Sequence, residues 1–350
     1  MPEFLNALAT ATPPYELPQD LVERNARRIL GPRFAQFERM AASFKTSGVE
    51  KRYSFAPIEW FDTPKNWQDR NSVYLLEGEK LFEAVVTQAL AKAELLAREV
   101  DIVVTVSSTG IATPTFEALS AAKLGFREDI QRIPVFGLGC AGGVTGLRIA
   151  QQMARANSGD KVLLVVLEAC TLSFRSDRLS KADIVATILF GDGAAAAVIS
   201  SKPGNADEIV MGIGSEHMWP DTLSIMGWDV DESGLGVIFD RSIPAFALEH
   251  MKSATDHALK TAGLNQNELS RFVFHPGGAK VVEALEEALE LQTGTLDSER
   301  TVLRDYGNMS APTALFVLQD ILENKRNGSM MMGALGPGFT ASFLPLDIAA

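Results

Sequence analysis

Residues 133–146, IPVFGLGCAGGVTG, decide how this chain is read. The apolar run 133–138 reads as a short strand, and 142–157, rich in Ala, Gln and Arg, reads as a helix. Cys140 stands at the junction, among glycines that suit a sharp turn and leave backbone N–H groups close to the sulfur. A thiol at a helix N-terminus feels the positive end of the dipole, which lowers its pKa and favours the thiolate. Most cysteines, however, are small buried hydrophobes, so the chemistry needs partners from elsewhere.

Outward from this turn, strands and helices alternate. Residues 101–107 and 161–168 read as strands, 182–190 as a helix, and 193–201 as a strand after the turn Gly191-Asp192-Gly193. Beyond a polar, turn-rich stretch at 202–231, the alternation resumes. Helices are expected at 242–262, 279–291 and 309–324, and strands at 271–274, 329–334 and 340–346. The first hundred residues read as mainly helical, at 18–30, 34–44 and 77–98, with an irregular aromatic loop at 52–70. Such alternation favours a layered α/β architecture. With no low-complexity linker, the expectation is two similar halves, residues 1–205 and 206–350, packed as one body with the active site between them.

The second half offers two partners for the thiol. His275 ends the apolar run 272–274 and precedes Pro276-Gly277-Gly278. A histidine at a strand end before a glycine turn points into the crevice of a doubly wound sheet. There it can take the thiol proton and donate to a carbonyl oxygen, although a capping or core histidine fits the same position. Asn308, in Tyr306-Gly307-Asn308-Met309-Ser310, suits either a helix cap or an amide N–H donor in an oxyanion hole. His217, His250 and His257 lack comparable surroundings and read as surface or packing residues. Thiol, imidazole and carboxamide together point to acyl transfer through a thioester.

Composition narrows the field. Hydrophobic residues at 46% and charged residues at 22% are ordinary for a globular protein. The net charge of −12 argues against a nucleic-acid partner, and the apolar runs are too short to span a bilayer. The N-terminus has no basic stretch followed by an apolar core, so a cytoplasmic location is expected, with Cys140 and Cys170 as free thiols. No metal-ligand cluster and no Gly-x-Gly-x-x-Gly fingerprint stand out, so neither a metal nor a nicotinamide cofactor is expected.

Order, spacing and flanks together resemble the type III polyketide synthases, the chalcone-synthase-like branch of the thiolase fold. The resemblance runs almost end to end. It rests on Ser47-Gly-Val-Glu-Lys-Arg-Tyr53, Phe190-Gly-Asp-Gly193, His275-Pro-Gly-Gly278, Gly307-Asn-Met-Ser310 and Gly336-Pro-Gly338 around Cys140. It implies thiolase-like duplicated α/β/α layers, a homodimer, and coenzyme A thioesters as substrates with no further cofactor. By resemblance, Cys140 bears the acyl group, while His275 and Asn308 activate the thiol and stabilise the decarboxylated malonyl unit. Phe190 corresponds to an aromatic gatekeeper between a coenzyme A tunnel and the reaction cavity. Val237, with Phe239 two residues on, falls at the second gatekeeper. Ser108, Cys170 and Ser173 fall on the cavity wall, and Gly336, Pro337 and Gly338 in a glycine-rich loop.

Departures from the plant pattern are Val237 in place of phenylalanine, Thr113 where a methionine reaches the partner's cavity, and Ala334 for a loop glycine. Met226-Gly-Trp-Asp-Val230 and residues 234–244 are similar to bacterial members that use fatty acyl starters and make alkylpyrones or alkylresorcinols. Lys51 and Arg52 are candidates for the cations that coenzyme A requires. Two other readings are a ketoacyl synthase that condenses once on acyl carrier protein, and a Cys-His-Asn thioester hydrolase.

Overall fold

Apolar runs without a polar face are stable only between two covering layers, and the chain spends such runs on the centre of one sheet. The computed structural model describes residues 2–178, 180–204 and 209–349, so the division expected at 205/206 lies outside the described residues. From β1 (Glu3–Ala11) the chain passes through β2 (Tyr15–Pro18), α1 (Gln19–Leu30) and α2 (Phe37–Thr46) to β3 (Lys51–Ser54), which pairs with β2. A reciprocal capping box between Asn66 and Asp69 starts α3 (Trp67–Lys92). After β4 (Ile102–Val106) come the single-turn helices α4 (Phe116–Leu119) and α5 (Ala121–Leu124). The half closes with β5 (Gln131–Val135), α6 (Gly142–Ala156), β6 (Lys161–Ala169), α7 (Lys181–Leu189) and β7 (Asp192–Ser200).

The second half begins with β8 (Ile209–Met211) and β9 (Ser215–Met218), then a ribbon of β10 (Met226–Asp231) and β11 (Gly234–Phe239). There follow α8 (Ile243–Ala262), β12 (Arg271–Phe274), α9 (Ala279–Ala288), α10 (Asp297–Tyr306) and α11 (Thr313–Glu323). The antiparallel pair β13 (Gly328–Gly336) and β14 (Thr340–Ile348) completes it.

The sheet runs β12-β13-β14-β8-β1-β7-β6-β4-β5, with β9 added to β14. Its order states the duplication that residue identities hide. In one half β4 lies parallel to β6, β6 antiparallel to β7, and β7 antiparallel to β1. In the other, β12 lies parallel to β13, β13 antiparallel to β14, and β14 antiparallel to β8. The matching helices are α6, which precedes β6, and α11, which precedes β13. They share one apolar cluster that includes Val144, Leu147, Leu315 and Leu318. Their starts nearly touch: a Cβ on Gly143 would lie 2.3 Å from the Ala311 carbonyl oxygen, so only glycine fits there.

Four regions differ from the sequence reading. Residues 3–11 form a strand rather than part of a helical region. Their Ala- and Leu-rich composition has little β preference, and burial between β7 and β8 overrides it. The aromatic loop at 52–70 contains part of β3, a 3₁₀ turn at Ile58–Asp62 and the first turn of α3. The turn-rich stretch at 202–231 contains β8, β9 and β10, and α10 lies where no element was expected. That helix is mostly polar and buries Ser298 and Glu299 beside Val302 and Leu303, so its apolar period is faint.

Candidate active site

Cys140 lies in the 3₁₀ turn Gly139–Ala141 that leads into α6, with Gly139 at φ +48°. Asn308 precedes α11 in the corresponding connection of the other half, and His275 directly follows β12. All three are buried, and all three line one cavity of about 390 Å³ beneath Phe239. The structure thus brings together the three side chains singled out from the sequence.

Hydrogen bonds orient the carboxamide. Asn308 Oδ1 accepts from the Ser310 backbone N–H at 2.8 Å, and Nδ2 donates to the Gly277 carbonyl at 3.1 Å. Exchanging the two atoms would set donor against donor, so the amide has one orientation. Its second N–H is left for the cavity. Ser310 also stands beside the thiol, since it and Cys140 line the same space.

Burial governs the charges. It pushes the Cys140 thiol up to about 11, against a smaller lowering by Ser310. Burial alone also pulls His275 down to about 3, and neither ring nitrogen has a partner among the described residues. The helix start was expected to lower the thiol pKa, but desolvation outweighs it in the resting site. Thiol and imidazole therefore rest neutral. A thiolate is favoured only when the proton moves to His275 and the two charges compensate each other.

A second space adjoins the thiol, lined by Ser108, Thr109, Trp228, Ser310 and Pro337 together with Phe190, Val237 and Phe239. Phe190 and Val237 are also walls of a larger cavity of about 610 Å³, counted to its open mouth. The outer cavity is mostly apolar, with Val22, Ile29, Ile58, Phe61 and Phe174 on its walls and Cys170 and Ser173 among them. Phe190 meets Phe239 edge to face, with ring centroids 6.0 Å apart. Both walls belong to the boundary between the two spaces.

The models of the N-terminal and C-terminal domains of chalcone and stilbene synthases match residues 4–203 and 210–345. The chain belongs to the chalcone and stilbene synthases. It is 36% identical to a 1,3,6,8-tetrahydroxynaphthalene synthase of Streptomyces peucetius, covering 97% of this chain and 92% of the relative. It is 32% identical to type III polyketide synthase A of Arabidopsis thaliana, over 96% and 90% of the two chains. The crystal structure of the Streptomyces coelicolor tetrahydroxynaphthalene synthase, a bacterial type III polyketide synthase, superimposes with a TM-score of 0.94 at 26% identity, covering 99% of both chains. The fold is accordingly thiolase-like, and the protein is an enzyme of decarboxylative condensation.

Within this type III polyketide synthase, the remaining predicted residues separate. Ser108, Cys170, Ser173, Phe190, Val237 and Pro337 line the two spaces that share Phe190 and Val237 as walls. Gly336 and Gly338 support Pro337 instead: a Cβ on Gly336 would strike Ala141 at 2.6 Å, and the Gly338 carbonyl accepts from Thr222.

Lys51 and Arg52 need correction as phosphate-binding cations. Lys51 is held by Glu16 at 2.9 Å and by the Tyr53 hydroxyl. Arg52 is buried, and its guanidinium is occupied by backbone carbonyls, so it offers no charge to a ligand at the surface. An Arg-Tyr pair after a Gly turn reads like an exposed loop, and nothing local announces that α7 will cover it.

The sequence reading missed Trp228, whose Nε1 donates to the Ser108 carbonyl at 2.8 Å and fixes an aromatic wall beside the thiol. Indole beside Asp229 in an exposed-looking ribbon was the available signal. Glu168 was missed as well. It is fully buried, raised to about 7 by that burial, and accepts from the Ser108 backbone and the Thr109 hydroxyl.

Proposed function

We propose that this polyketide synthase loads a long-chain fatty acyl group from coenzyme A onto Cys140, extends it with malonyl-CoA, and closes the chain to an alkylpyrone or alkylresorcinol. The observation that carries the starter assignment is the outer apolar cavity behind Phe190 and Val237. Valine at 237 leaves room beside Phe190 for an aliphatic tail to pass. Each methylene buried there contributes about 0.8 kcal/mol, so four more methylenes amount to roughly 3 kcal/mol in favour of the longer starter.

In the loading step His275 takes the Cys140 proton, the sulfur attacks the acyl carbonyl, and the coenzyme A thiolate leaves with that proton. Malonyl-CoA then loses carbon dioxide, and its carbon–carbon bonding electrons become an enolate. An N–H of His275 and the free N–H of Asn308 hold the enolate oxygen. The enolate carbon attacks the Cys140 thioester, which leaves the lengthened chain on coenzyme A. The sulfur released takes a proton from solvent to return to the resting thiol, ready to be loaded again by that chain. The thiol is buried in a largely apolar cavity, so hydrolysis of the thioester is disfavoured.

The phosphates of coenzyme A need cations other than Lys51 and Arg52. The end of α2, the start of α9 and the residues after β11 meet at one rim, where a Cβ on Gly48 would lie 3.3 Å from Ala279 Cβ and where Phe239 joins the same cluster. Lys45, Arg241 and Lys280 are exposed at this rim, and we assign them the phosphates.

A homodimer fits the free edge of β5, whose residues are half-buried or exposed, with exposed Phe136 beside it. A cytoplasmic location fits two unpaired cysteines. No helix among the described residues is long and apolar enough to cross a membrane.

The testing experiment incubates the enzyme with acyl-CoAs of two to eighteen carbons and labelled malonyl-CoA, followed by mass spectrometry. Cys140-dependent alkylpyrones or alkylresorcinols, formed best from long starters, are expected. The Streptomyces peucetius relative is named for 1,3,6,8-tetrahydroxynaphthalene. That product from malonyl-CoA alone, with no gain from long acyl-CoAs, would replace the fatty acyl reading.

A further inference from the structure

The last carbonyls of a helix have no partner within it. In α7 these carbonyls lead straight into Phe190 and are taken up from outside the helix in an orderly way. Arg52 Nη1 donates to the Thr187 and Phe190 carbonyls, both at 2.8 Å, and Nη2 donates to the Ile188 carbonyl at 2.6 Å. The remaining carbonyl, of Leu189, accepts from the backbone N–H of Asn308 at 2.8 Å. Two residues on, the Gly191 N–H donates back to the Asn308 carbonyl at 3.0 Å. The backbone of Asn308 is therefore clamped on both sides by the five-residue segment that the guanidinium holds from beneath.

No side chain separates these layers. A Cβ on Gly191 would lie 2.4 Å from the Tyr306 carbonyl oxygen and 3.1 Å from Arg52 Cβ, and one on Gly307 would lie 2.8 Å from the Leu189 carbonyl oxygen. Displacement of the α7 end thus passes directly to Asn308. Gln19 completes the arrangement, accepting from Arg52 Nη2 and donating from Nε2 to the Ile188 carbonyl at 3.0 Å. The nearest buried carboxylate, Asp192, is occupied by the backbone N–H groups of Phe55 and Thr171 and by the Thr171 hydroxyl. A buried guanidinium without a carboxylate in contact is costly. Its planar fork, however, reaches several carbonyls at fixed angles, which an ammonium cannot do.

We propose that Arg52 is a positioning residue: by holding the end of α7 it sets the carboxamide of Asn308 and the ring of Phe190 where the condensation needs them. The proposal rests on the part given to Asn308 under the proposed function. Arg52 does not line the spaces around Cys140, but it is one wall of the outer cavity assigned to the acyl tail. Loading of the thiol from acetyl-CoA, whose two-carbon group leaves that cavity empty, should therefore survive its loss while the enolate-forming step does not.

The test measures two partial reactions in Arg52→Lys and Gln19→Ala: acylation of Cys140 by acetyl-CoA, read as a mass shift of the intact protein, and carbon dioxide release from malonyl-CoA. Arg52→Lys should load within about threefold of the wild-type rate and lose about tenfold or more in decarboxylation, in kcat rather than KM. Gln19→Ala removes one acceptor and one bond to Ile188, and should show the same selective loss to a smaller extent. It decides the matter if Arg52→Lys fails to fold. Equal losses in both reactions, or none in either, would overturn the proposal. Asn308→Ala is run in parallel. If it decarboxylates like the wild type, the part given to Asn308 is wrong. If it does not, while both clamp variants do, only the positioning is wrong.

Discussion

Cys140 and Asn308 stand in corresponding connections of the two halves, one in the turn that opens α6 and the other five residues before α11. Ser310 lies between them, with its backbone N–H on the Asn308 amide and its side chain in the space that Cys140 also lines. The contact between Gly143 and Ala311 sets how closely the two helix starts approach. Nucleophile and amide donor are thus related by the duplication of the fold, and His275 enters from the end of β12.

Burial pushes the Cys140 thiol up to about 11 and His275 down to about 3, so at neutral pH the thiolate depends on the imidazole. His275→Ala should slow iodoacetamide alkylation of Cys140 about tenfold or more at pH 7, with the two proteins converging toward pH 10. Equal rates at pH 7 would show that the helix start activates the thiol without the imidazole.

Asn308→Ala removes one of two donors to the enolate oxygen while leaving Cys140 and His275 in place. Malonyl-CoA decarboxylation should fall about 100-fold or more, consistent with loss of a donor to a developing oxyanion. Acylation of Cys140 should change little. Stopped assays of the two partial reactions separate these effects.

Val237 and Phe190 together bound the outer cavity. Val237→Phe should narrow that boundary and reverse the starter order, with kcat/KM falling roughly 100-fold for long acyl-CoAs and less than threefold for short ones. A uniform loss across chain lengths would place the tail elsewhere.

Glu299 is buried, accepts from the Phe274 N–H at 2.8 Å, and is raised to about 7 by burial. Its folded pKa lies above the roughly 4.3 of an unfolded chain, so the folded state keeps the proton longer. The stabilisation is full below about pH 4 and is lost as pH rises through about 7. Glutamine at this position accepts from the same N–H and does not titrate. Relative to Glu299→Gln, the wild type should lose up to about 3 kcal/mol of stability between pH 4.5 and 7.5. Parallel denaturant curves for the two proteins would register a constant difference if Glu299 stays charged.

Much of the site was legible because its chemistry is local. A thiol between glycines at a strand-to-helix turn, a histidine before Pro-Gly-Gly and an asparagine before a helix each carry a recognisable backbone context. Strand runs such as β6 and β7 were equally plain, since continuous apolar residues have few other uses. The fate of Arg52 was not legible, because a cation's role depends on which carbonyls fold over it. The same holds for β1, whose alanines become a central strand only when two sheet neighbours enclose them.

By itself, then, the sequence determined the layered α/β class, the three reactive side chains and the family, because these rest on short-range pattern and residue chemistry. Tertiary structure alone decided the protonation of thiol and imidazole, the placing of Phe190 and Val237 as walls common to the space at Cys140 and to an apolar cavity, and the turn of Arg52 from the surface to the interior. Each of these follows from burial and from contacts between residues more than a hundred positions apart, such as Arg52 with Phe190. Periodicity and local propensity carry no information about such contacts.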